Sequence, residues 1–184
     1  MVGEIRDQDT ARTAIQASIT GHLVLSTFHA NSTSAAFSRM IDLIGTNPVF
    51  SSAIRLVIAQ RLVRRLDEGS KEEYEPDDTT RQWVREVLQD LPEHAHKPNL
   101  DTFKLWRPVS TDSSPFGYKG RIVIMEQMVV EESIQRYLRG DIQDVHSEEI
   151  ERTAKASGMV TLLQQGVLAA LRGETTLDEV NRVI

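Results

Sequence analysis

Cysteine is absent from this chain, and positive charge is in the minority. With no cysteine among 184 residues, neither disulfide bonds nor thiolate metal sites are available. Asp and Glu outnumber Lys and Arg by 27 to 21, which gives a net charge of −6. This excess of negative charge argues against attraction of the whole chain to nucleic acid or anionic lipid, although it leaves room for a local basic patch. We therefore expect no nucleic-acid partner.

Long apolar runs are missing as well. No apolar stretch of the sequence approaches the roughly 18 residues that a membrane-spanning helix needs. The N-terminus also lacks the charged-then-apolar layout of a signal peptide. Apolar residues nevertheless make up 40% of the chain, which is enough for a hydrophobic core. These features predict a globular, soluble and cytoplasmic protein.

The phosphate-binding loop of P-loop nucleotide hydrolases is a third absence. That loop, G-x-x-x-x-G-K-[ST], holds the β- and γ-phosphates through backbone N–H groups and a lysine. No stretch of the sequence matches it. Residues 1–184 alone therefore lack the part of such a site that makes most contacts with a triphosphate.

Two motifs near the N-terminus point to a ligand site. The segment Met1–Asp7 is a short apolar stretch that contains a Gly3-Glu4 pair, and it predicts a strand with a carboxylate at the carboxyl edge of a parallel sheet. Open α/β folds bind their ligands at this edge. Residues 22–28 are apolar enough to predict a second, mostly buried strand, which ends just before His29.

The two motifs resemble those of a known family. MVGEIRDQDTA closely resembles the Walker B segment of the type II secretion and type IV pilus assembly ATPases, and TGHLVLSTFHAN resembles their histidine box. The likeness continues in QRLVRRL, GYKGR, GMVTL and GETTLDEV. It implies an α/β chain that forms the C-terminal half of a RecA-like P-loop ATPase core, with the phosphate-binding loop upstream of Met1. Residues 1–184 alone would then be inactive.

The resemblance also implies a function. The parent would be a homo-hexameric motor that uses ATP and Mg²⁺ and acts on an inner-membrane platform protein of a pilus or secretion machine, so that it is peripheral to that membrane. The ending GETTLDEVNRVI is closer to the assembly and secretion branch than to the retraction branch. Many such ATPases carry a tetracysteine zinc module after the stretch that matches Gln60–Leu66. Because this chain has no cysteine, no zinc is expected.

Glu4 and His29 are the catalytic candidates. A carboxylate at a strand end can orient or partly deprotonate the water that attacks a γ-phosphate, and an imidazole at the same edge can hydrogen-bond a phosphate oxygen and act as a sensor. Gly3, Glu4 and His29 would together face the γ-phosphate and the Mg²⁺-bound water. The plainer alternatives are that Glu4 pairs with Arg6 or Arg12 and that His29 only marks a helix entry.

Other polar groups have less specific interpretations. His22, at the start of the second strand, is expected to have a structural or supporting role. His94 and His96 could hold a metal only with further ligands, so a solvated loop is the simpler interpretation. The remaining groups are basic or aromatic. The cluster Arg61, Arg64 and Arg65 could meet a neighbouring subunit, phosphates or solvent, and no chemical role is assigned to Tyr118, Lys119 and Arg121.

Periodicity and breaks in composition predict three segments. Residues 1–66 would form half of the ATPase core, residues 67–130 a cysteine-free α+β insert that replaces the zinc module, and residues 131–184 a helical subdomain. Within the first, helices are expected from Asp7 or Asp9 to Gly21 and from Asn31 or Ser32 to Gly45. The strongest predicted helix begins at Asn47-Pro48, because Phe50, Ala53, Ile54, Val57 and Ile58 share one face.

The rest of the chain predicts further elements. Residues 67–78 are acidic and poor in apolar residues, which indicates a solvated connector. Helix 84–91, strands 103–106 and 121–130, and a series of helices after Glu131 follow. Thr176 and Glu179 predict a capping box for a last helix that buries its apolar residues. These are Val180, Val183 and Ile184.

A second hypothesis explains the missing phosphate-binding loop in another way. The chain could be a non-catalytic assembly or interaction module, either a truncated gene product or a separate regulatory chain. A reading frame that encodes the loop immediately upstream of Met1 would favour the motor.

Overall fold

The computed structural model describes all 184 residues and divides the chain into two compact units. Unit 1 consists of Met1–Ala59 and Gln127–Met159, and unit 2 of Gln60–Glu126 and Val160–Ile184. These boundaries differ from the three segments predicted from composition, because the helices after Glu131 are shared between the two units.

Seven α-helices and four strands make up the chain. Strand β1 pairs with β4, and β2 pairs with β3 in antiparallel fashion. None of the helices has the length and apolar character needed to cross a bilayer. In chain order, the elements are α1 (Gln8–Ile19), α2 (Thr33–Ile44), a 3₁₀ turn (Pro48–Ser52), β1 (Leu56–Leu66), β2 (Glu72–Tyr74), α3 (Asp78–Leu88), β3 (Leu105–Arg107), β4 (Tyr118–Val129), α4 (Glu132–Arg139), α5 (Ser147–Ala156), α6 (Leu162–Leu171) and α7 (Leu177–Val183).

In unit 1, both predicted N-terminal helices are confirmed, and their caps explain their ends. Helix α1 begins after Asp7, whose carboxylate accepts from the Thr10 backbone N–H at 2.8 Å, and α2 begins after Ser32, whose hydroxyl accepts from the Ala35 N–H at 3.1 Å. Helix α2 ends at Gly45, which adopts φ of 76°. Their apolar faces form the core of unit 1 together with α4 and α5. Its members include Ala11, Ala14, Ile15, Phe37, Ile41, Ile134, Tyr137, Leu138 and Ile150.

The helix predicted from Asn47 to Ile58 is wrong. The Asn47 side chain does accept from the Val49 N–H at 2.9 Å, but the resulting 3₁₀ turn ends at Ser52, and the chain then enters β1. An apolar run with two β-branched residues in succession, Val57 and Ile58, also suits a strand. The pairing of β1 with β4 decides between the two structures.

The mostly buried strand predicted over residues 22–28 is also wrong. The segment forms only an isolated parallel bridge, between Glu4 and Thr27. Leu23 is 86% exposed and Leu25 is 60% exposed. The reason is that, within residues 1–184, the segment has backbone pairing on one side only, with residues 2–5.

In unit 2, the predicted connector over residues 67–78 is partly structured. It contains β2, which pairs with β3 in the register Glu73 opposite Trp106. Oppositely charged pairs cross this ladder, with Arg107 to Glu72 at 2.8 Å and Lys104 to Glu73 at 3.0 Å. Because a composition rule takes no account of such cross-strand partners, the acidic stretch gave no sign of a strand.

The remaining predicted elements of unit 2 fold largely as expected. Helix α3 buries Val84 and Leu88, and its core includes Leu105 of β3 and Val167 of α6. The α6 N-terminus carries a reciprocal capping box, in which Thr161 and Gln164 satisfy each other's backbone N–H groups.

The capping box predicted for α7 is only half correct. Thr176 accepts from the Glu179 N–H at 3.2 Å, but the Glu179 carboxylate binds the guanidinium groups of Arg64 and Arg182 instead of turning back to the cap. Val180 is buried as predicted, whereas Ile184 is 41% exposed.

Candidate active site

The backbone of unit 1 brings the two N-terminal motifs together. The Val2 N–H donates to the Leu25 carbonyl and the Ile5 N–H to the Thr27 carbonyl, both at 2.9 Å. The Ser26 hydroxyl adds a bond to the Gly3 carbonyl at 2.5 Å. Since the two segments run parallel, their carboxyl ends lie side by side. Glu4 and His29 are therefore close to the same edge of the paired segments.

Glu4 lies at this edge between two basic side chains. Its Oε2 accepts from the Arg6 Nε at 2.7 Å, and its Oε1 lies 3.0 Å from the His29 Nε2. The hydrogen bond from Arg6 is the largest influence on the Glu4 carboxyl, and with the nearby positive charges it lowers the pKa below the ordinary 4.5. The carboxylate is therefore ionised at neutral pH. The plainer interpretation, a pair with Arg6, is thus observed together with the contact to His29.

His29 presents an accessible imidazole next to this carboxylate. Its side chain is 84% exposed, whereas that of Glu4 is 21% exposed. Because an ionised carboxylate can only accept, the contact requires the proton on Nε2. The Nδ1 atom then remains available to a ligand or to water.

Arg39, in the second turn of α2, is a site residue that sequence reasoning missed. Its Nη1 donates to the His29 carbonyl at 3.2 Å, and its guanidinium lies 5.6 Å from the centre of the Phe28 ring. The first contact holds the backbone of His29, and the second holds the side chain of the residue before it. Arg39 lies ten residues after His29 and is not part of a recognisable sequence motif, so only the fold could reveal this contact.

Gly3 leaves open surface next to Glu4. A Cβ atom built at this position would meet no atom within 4 Å. The main chain is therefore accessible to a bound group from this side.

The other polar candidates lie outside this arrangement. His22 approaches the Thr20 hydroxyl through Nδ1 at 3.2 Å and makes no contact with Glu4. His94 and His96 belong to a loop of unit 2, and no group of three or more His, Cys, Asp or Glu residues in the chain could hold a metal ion.

The basic cluster and the GYKGR segment make structural contacts within unit 2. Arg64 is tied to Glu179 and lies 4.1 Å from the centre of the Tyr118 ring. Arg65 makes only a weak pair with Glu68 at 3.9 Å. Tyr118 bonds the Thr176 hydroxyl at 3.0 Å, which is a structural role.

Solved structures show the class of fold. The chain is similar to the ATPase DotB of Yersinia pseudotuberculosis, with a TM-score of 0.60 and 17% identity over 99% of this chain and 35% of that one. DotB of Legionella pneumophila gives a TM-score of 0.58 over 98% of this chain and 36% of that one, also at 17% identity. The chain therefore has an α/β fold, as predicted, and it corresponds to part of the fold of each DotB chain.

Sequence comparison narrows the class to a family. Residues 1–182 match the family described as "Type II/IV secretion system protein". The type II secretion system protein E of Xanthomonas campestris is 40% identical over all of this chain and 30% of its own length. The type IV pilus assembly ATPase PilB of Pseudomonas aeruginosa is 39% identical, with the same coverage. The chain therefore belongs to the type II/IV secretion system protein family, which confirms the resemblance, and it spans 30% of the length of these two relatives.

Proposed function

We propose that this chain is the C-terminal part of a hexameric motor that hydrolyses Mg²⁺-ATP to power type IV pilus assembly or type II protein secretion. The motor would act at the cytoplasmic side of the inner membrane, on a platform protein of the machine. Its family and the names of its relatives, a pilus assembly ATPase and a secretion protein E, support this function. The observation that carries the proposal is the 3.0 Å contact between Glu4 and His29 at one edge.

Glu4 would orient the attacking water. The hydrogen bond from Arg6 keeps the Glu4 carboxylate ionised by lowering its pKa, so that it can accept a hydrogen bond from water at neutral pH. A carboxylate with a lowered pKa is a weak base. Its contribution is therefore to hold the water in line with the phosphorus more than to remove its proton.

His29 would report on the γ-phosphate. With Nε2 donating to Glu4, protonation at Nδ1 would give a second donor, which could bind a phosphate oxygen. The contact between the Arg39 guanidinium and the His29 carbonyl holds the backbone while the side chain responds. Loss or gain of the phosphate would then change how His29 holds the Glu4 carboxylate.

The residues present fit one side of a bound nucleotide. Glu4 and His29, with the open main chain at Gly3, would face the γ-phosphate and the water ligands of Mg²⁺. Bound Mg²⁺-ATP supplies the electrophilic phosphorus and the leaving group. The contacts with the remaining phosphates would come from a phosphate-binding loop outside residues 1–184.

Replacing His29 with Ala should reduce the response to ATP without affecting the fold. In the full-length motor we expect turnover to fall about tenfold or more, since a donor to the phosphate is lost. The melting temperature of the chain should change by less than about 2 °C, because the side chain is largely exposed. ATPase rates and melting curves measure the two effects. His22→Ala is the matched control and should leave both unchanged, whereas a large fall in melting temperature at an unchanged rate would make His29 a packing residue.

Residues 1–184 alone should neither bind ATP tightly nor hydrolyse it. They lack the loop that makes most contacts with a triphosphate. Isothermal titration of the chain with Mg²⁺-ATP tests this expectation. Binding at micromolar nucleotide would mean that the site is complete within these residues and lies elsewhere. If the full-length protein also fails to bind ATP, the non-catalytic interaction module is the better explanation.

A further inference from the structure

A cavity of 370 Å³ lies in unit 2, whereas Glu4 and His29 belong to unit 1. The loop after α3 and one side of α6 form its walls. Its volume is within the range of about 300–1,000 Å³ that is usual for small-molecule sites. The function proposed above makes no use of this cavity.

Part of the cavity lining is apolar and belongs to a well-fixed helix. Leu168 and Leu171, one turn apart on α6, line it, and Leu168 is 8% exposed. The α6 N-terminus is held by its capping box and by Gln164, whose amide donates to the Val87 carbonyl at 3.2 Å and to Asp90 Oδ1 at 2.6 Å. The apolar surface is therefore formed before any ligand arrives, which reduces the entropic cost of binding.

The loop that also lines the cavity is fixed by hydrogen bonds. At one end, the Ala95 N–H donates to the Pro92 carbonyl at 3.0 Å. At the other end, Arg85 of α3 donates to the Leu100 carbonyl at 3.1 Å. His94 and His96 are thus held at the cavity by a loop with anchored ends.

The polar groups around the cavity are suited to an anion. They are His94, His96, Gln165 and Arg172, and none of the residues that line the cavity is acidic. Glu174, which pairs with Arg172, does not line the cavity, so no carboxylate in the lining itself repels a negatively charged group.

Arg172 is the strongest anion-binding group among them. It forms two hydrogen bonds with Glu174, from Nε at 2.8 Å and from Nη2 at 3.1 Å. This pair fixes the plane of the guanidinium and leaves Nη1 to a ligand. A guanidinium binds carboxylates and phosphates through directed hydrogen bonds.

We propose that this cavity is a binding site for a small aromatic anion. The ring would lie against Leu168 and Leu171, and the carboxylate or phosphate would be directed toward Arg172 and the two histidines. The site is independent of the nucleotide chemistry assigned to Glu4 and His29.

Four probes test the proposal with the full chain. Phenyl phosphate and benzoate carry both an aromatic ring and an anion, whereas phenol has only the ring and inorganic phosphate only the anion. Titrations followed by nuclear magnetic resonance should show that at least one aromatic anion binds about tenfold or more tightly than phenol and inorganic phosphate. Comparison of the affinities for phenyl phosphate and benzoate shows whether the site prefers a phosphate or a carboxylate. Equal binding of all four probes would overturn the proposal.

Variants of Arg172 and of its partner Glu174 test where the probe binds. Arg172→Gln should weaken binding of the preferred probe about tenfold or more. Glu174→Gln should leave it equal or tighten it, because the guanidinium loses its competing carboxylate. Arg65→Gln removes the same charge from an exposed position of unit 2 outside the cavity and should have no effect. A purely structural role of Arg172 would predict weaker binding in both variants of the pair.

A second substitution in the cavity tests whether the effect of Arg172→Gln on binding is indirect. His96→Gln changes an exposed cavity residue, and melting curves check that each variant remains folded. We expect His96→Gln to weaken binding severalfold. Binding that is unchanged in both His96→Gln and Arg172→Gln would place the probe elsewhere and overturn the assignment.

Discussion

Replacing Glu4 with Gln in the full-length motor is expected to lower ATP turnover about 100-fold or more, while ATP binding is preserved. The amide has nearly the shape of the carboxylate but carries no charge. It therefore cannot hold a water by two acceptor oxygens while it pairs with Arg6 and His29. Steady-state ATPase rates and equilibrium binding of a fluorescent ATP analogue measure the two properties separately.

A matched control separates catalysis from loss of an ion pair. Glu132 is an exposed glutamate of unit 1 whose carboxylate binds Arg139, with 3.2 Å to the Nη1 atom. As with Glu4, the hydrogen bond from its arginine lowers the pKa of the Glu132 carboxyl. Glu132→Gln therefore loses the same type of contact away from the proposed site and should leave turnover unchanged. Turnover of Glu4→Gln within a few-fold of the unaltered protein would restore the plainer interpretation, in which Glu4 only pairs with Arg6.

Replacing Glu179 with Ala is expected to destabilise unit 2 by about 3 kcal/mol, because a buried carboxylate that accepts several hydrogen bonds is lost, while its partners Arg64 and Arg182 stay in contact with water. The Glu179 side chain is 1% exposed, and it accepts from the Arg64 guanidinium, from the Arg64 backbone N–H at 3.1 Å and from Arg182 at 2.8 and 2.9 Å. Its loss leaves the Arg64 N–H without its acceptor and creates a cavity beside it. Urea unfolding monitored by circular dichroism measures the change.

The same carboxylate predicts how stability depends on pH. Burial opposes ionisation of Glu179, but the bonds from Arg182 and Arg64 outweigh it and lower the pKa from 4.5 to about 2. Because the folded state holds the proton more weakly than the unfolded state, the stabilisation is complete above about pH 4.5. It is lost as the pH falls from 4.5 toward 2, and its size is roughly 3 kcal/mol.

Unfolding curves at several acidic pH values test this dependence. Glu179→Gln should be less stable at neutral pH and should lose less stability on acidification than the unaltered chain. Glu72→Gln, which removes an exposed partner of Arg107, is the control and should change the stability by less than about 1 kcal/mol. Parallel acid dependence in the unaltered chain and in Glu179→Gln would contradict the role given to the buried carboxylate.

Local signals in the sequence predicted the caps and the edge of the candidate site. Asp7 and Ser32 begin the helices where expected, because capping depends on residues three or four apart. Glu4 and His29 meet at one edge, as the order of two strand-like segments and a helix implied.

Contacts between distant residues could not be predicted in this way. The apolar run after Asn47 suits a helix or a strand, and its pairing with β4, some sixty residues later, decides which forms. The Glu179 carboxylate looked like a capping group, yet its partner Arg64 lies 115 residues earlier in the chain. In each case a partner that is remote in sequence competes with a local preference and determines the outcome.

The division of the chain has a consequence for the order in which it folds during synthesis. Each unit is made of two separate stretches: Met1–Ala59 is completed by Gln127–Met159, and Gln60–Glu126 by Val160–Ile184. Neither hydrophobic core is therefore complete until the second stretch has emerged from the ribosome. Unit 1 can close first, whereas unit 2 must wait for its last helices, so the early strands of unit 2 remain exposed to aggregation and to chaperones after unit 1 has closed.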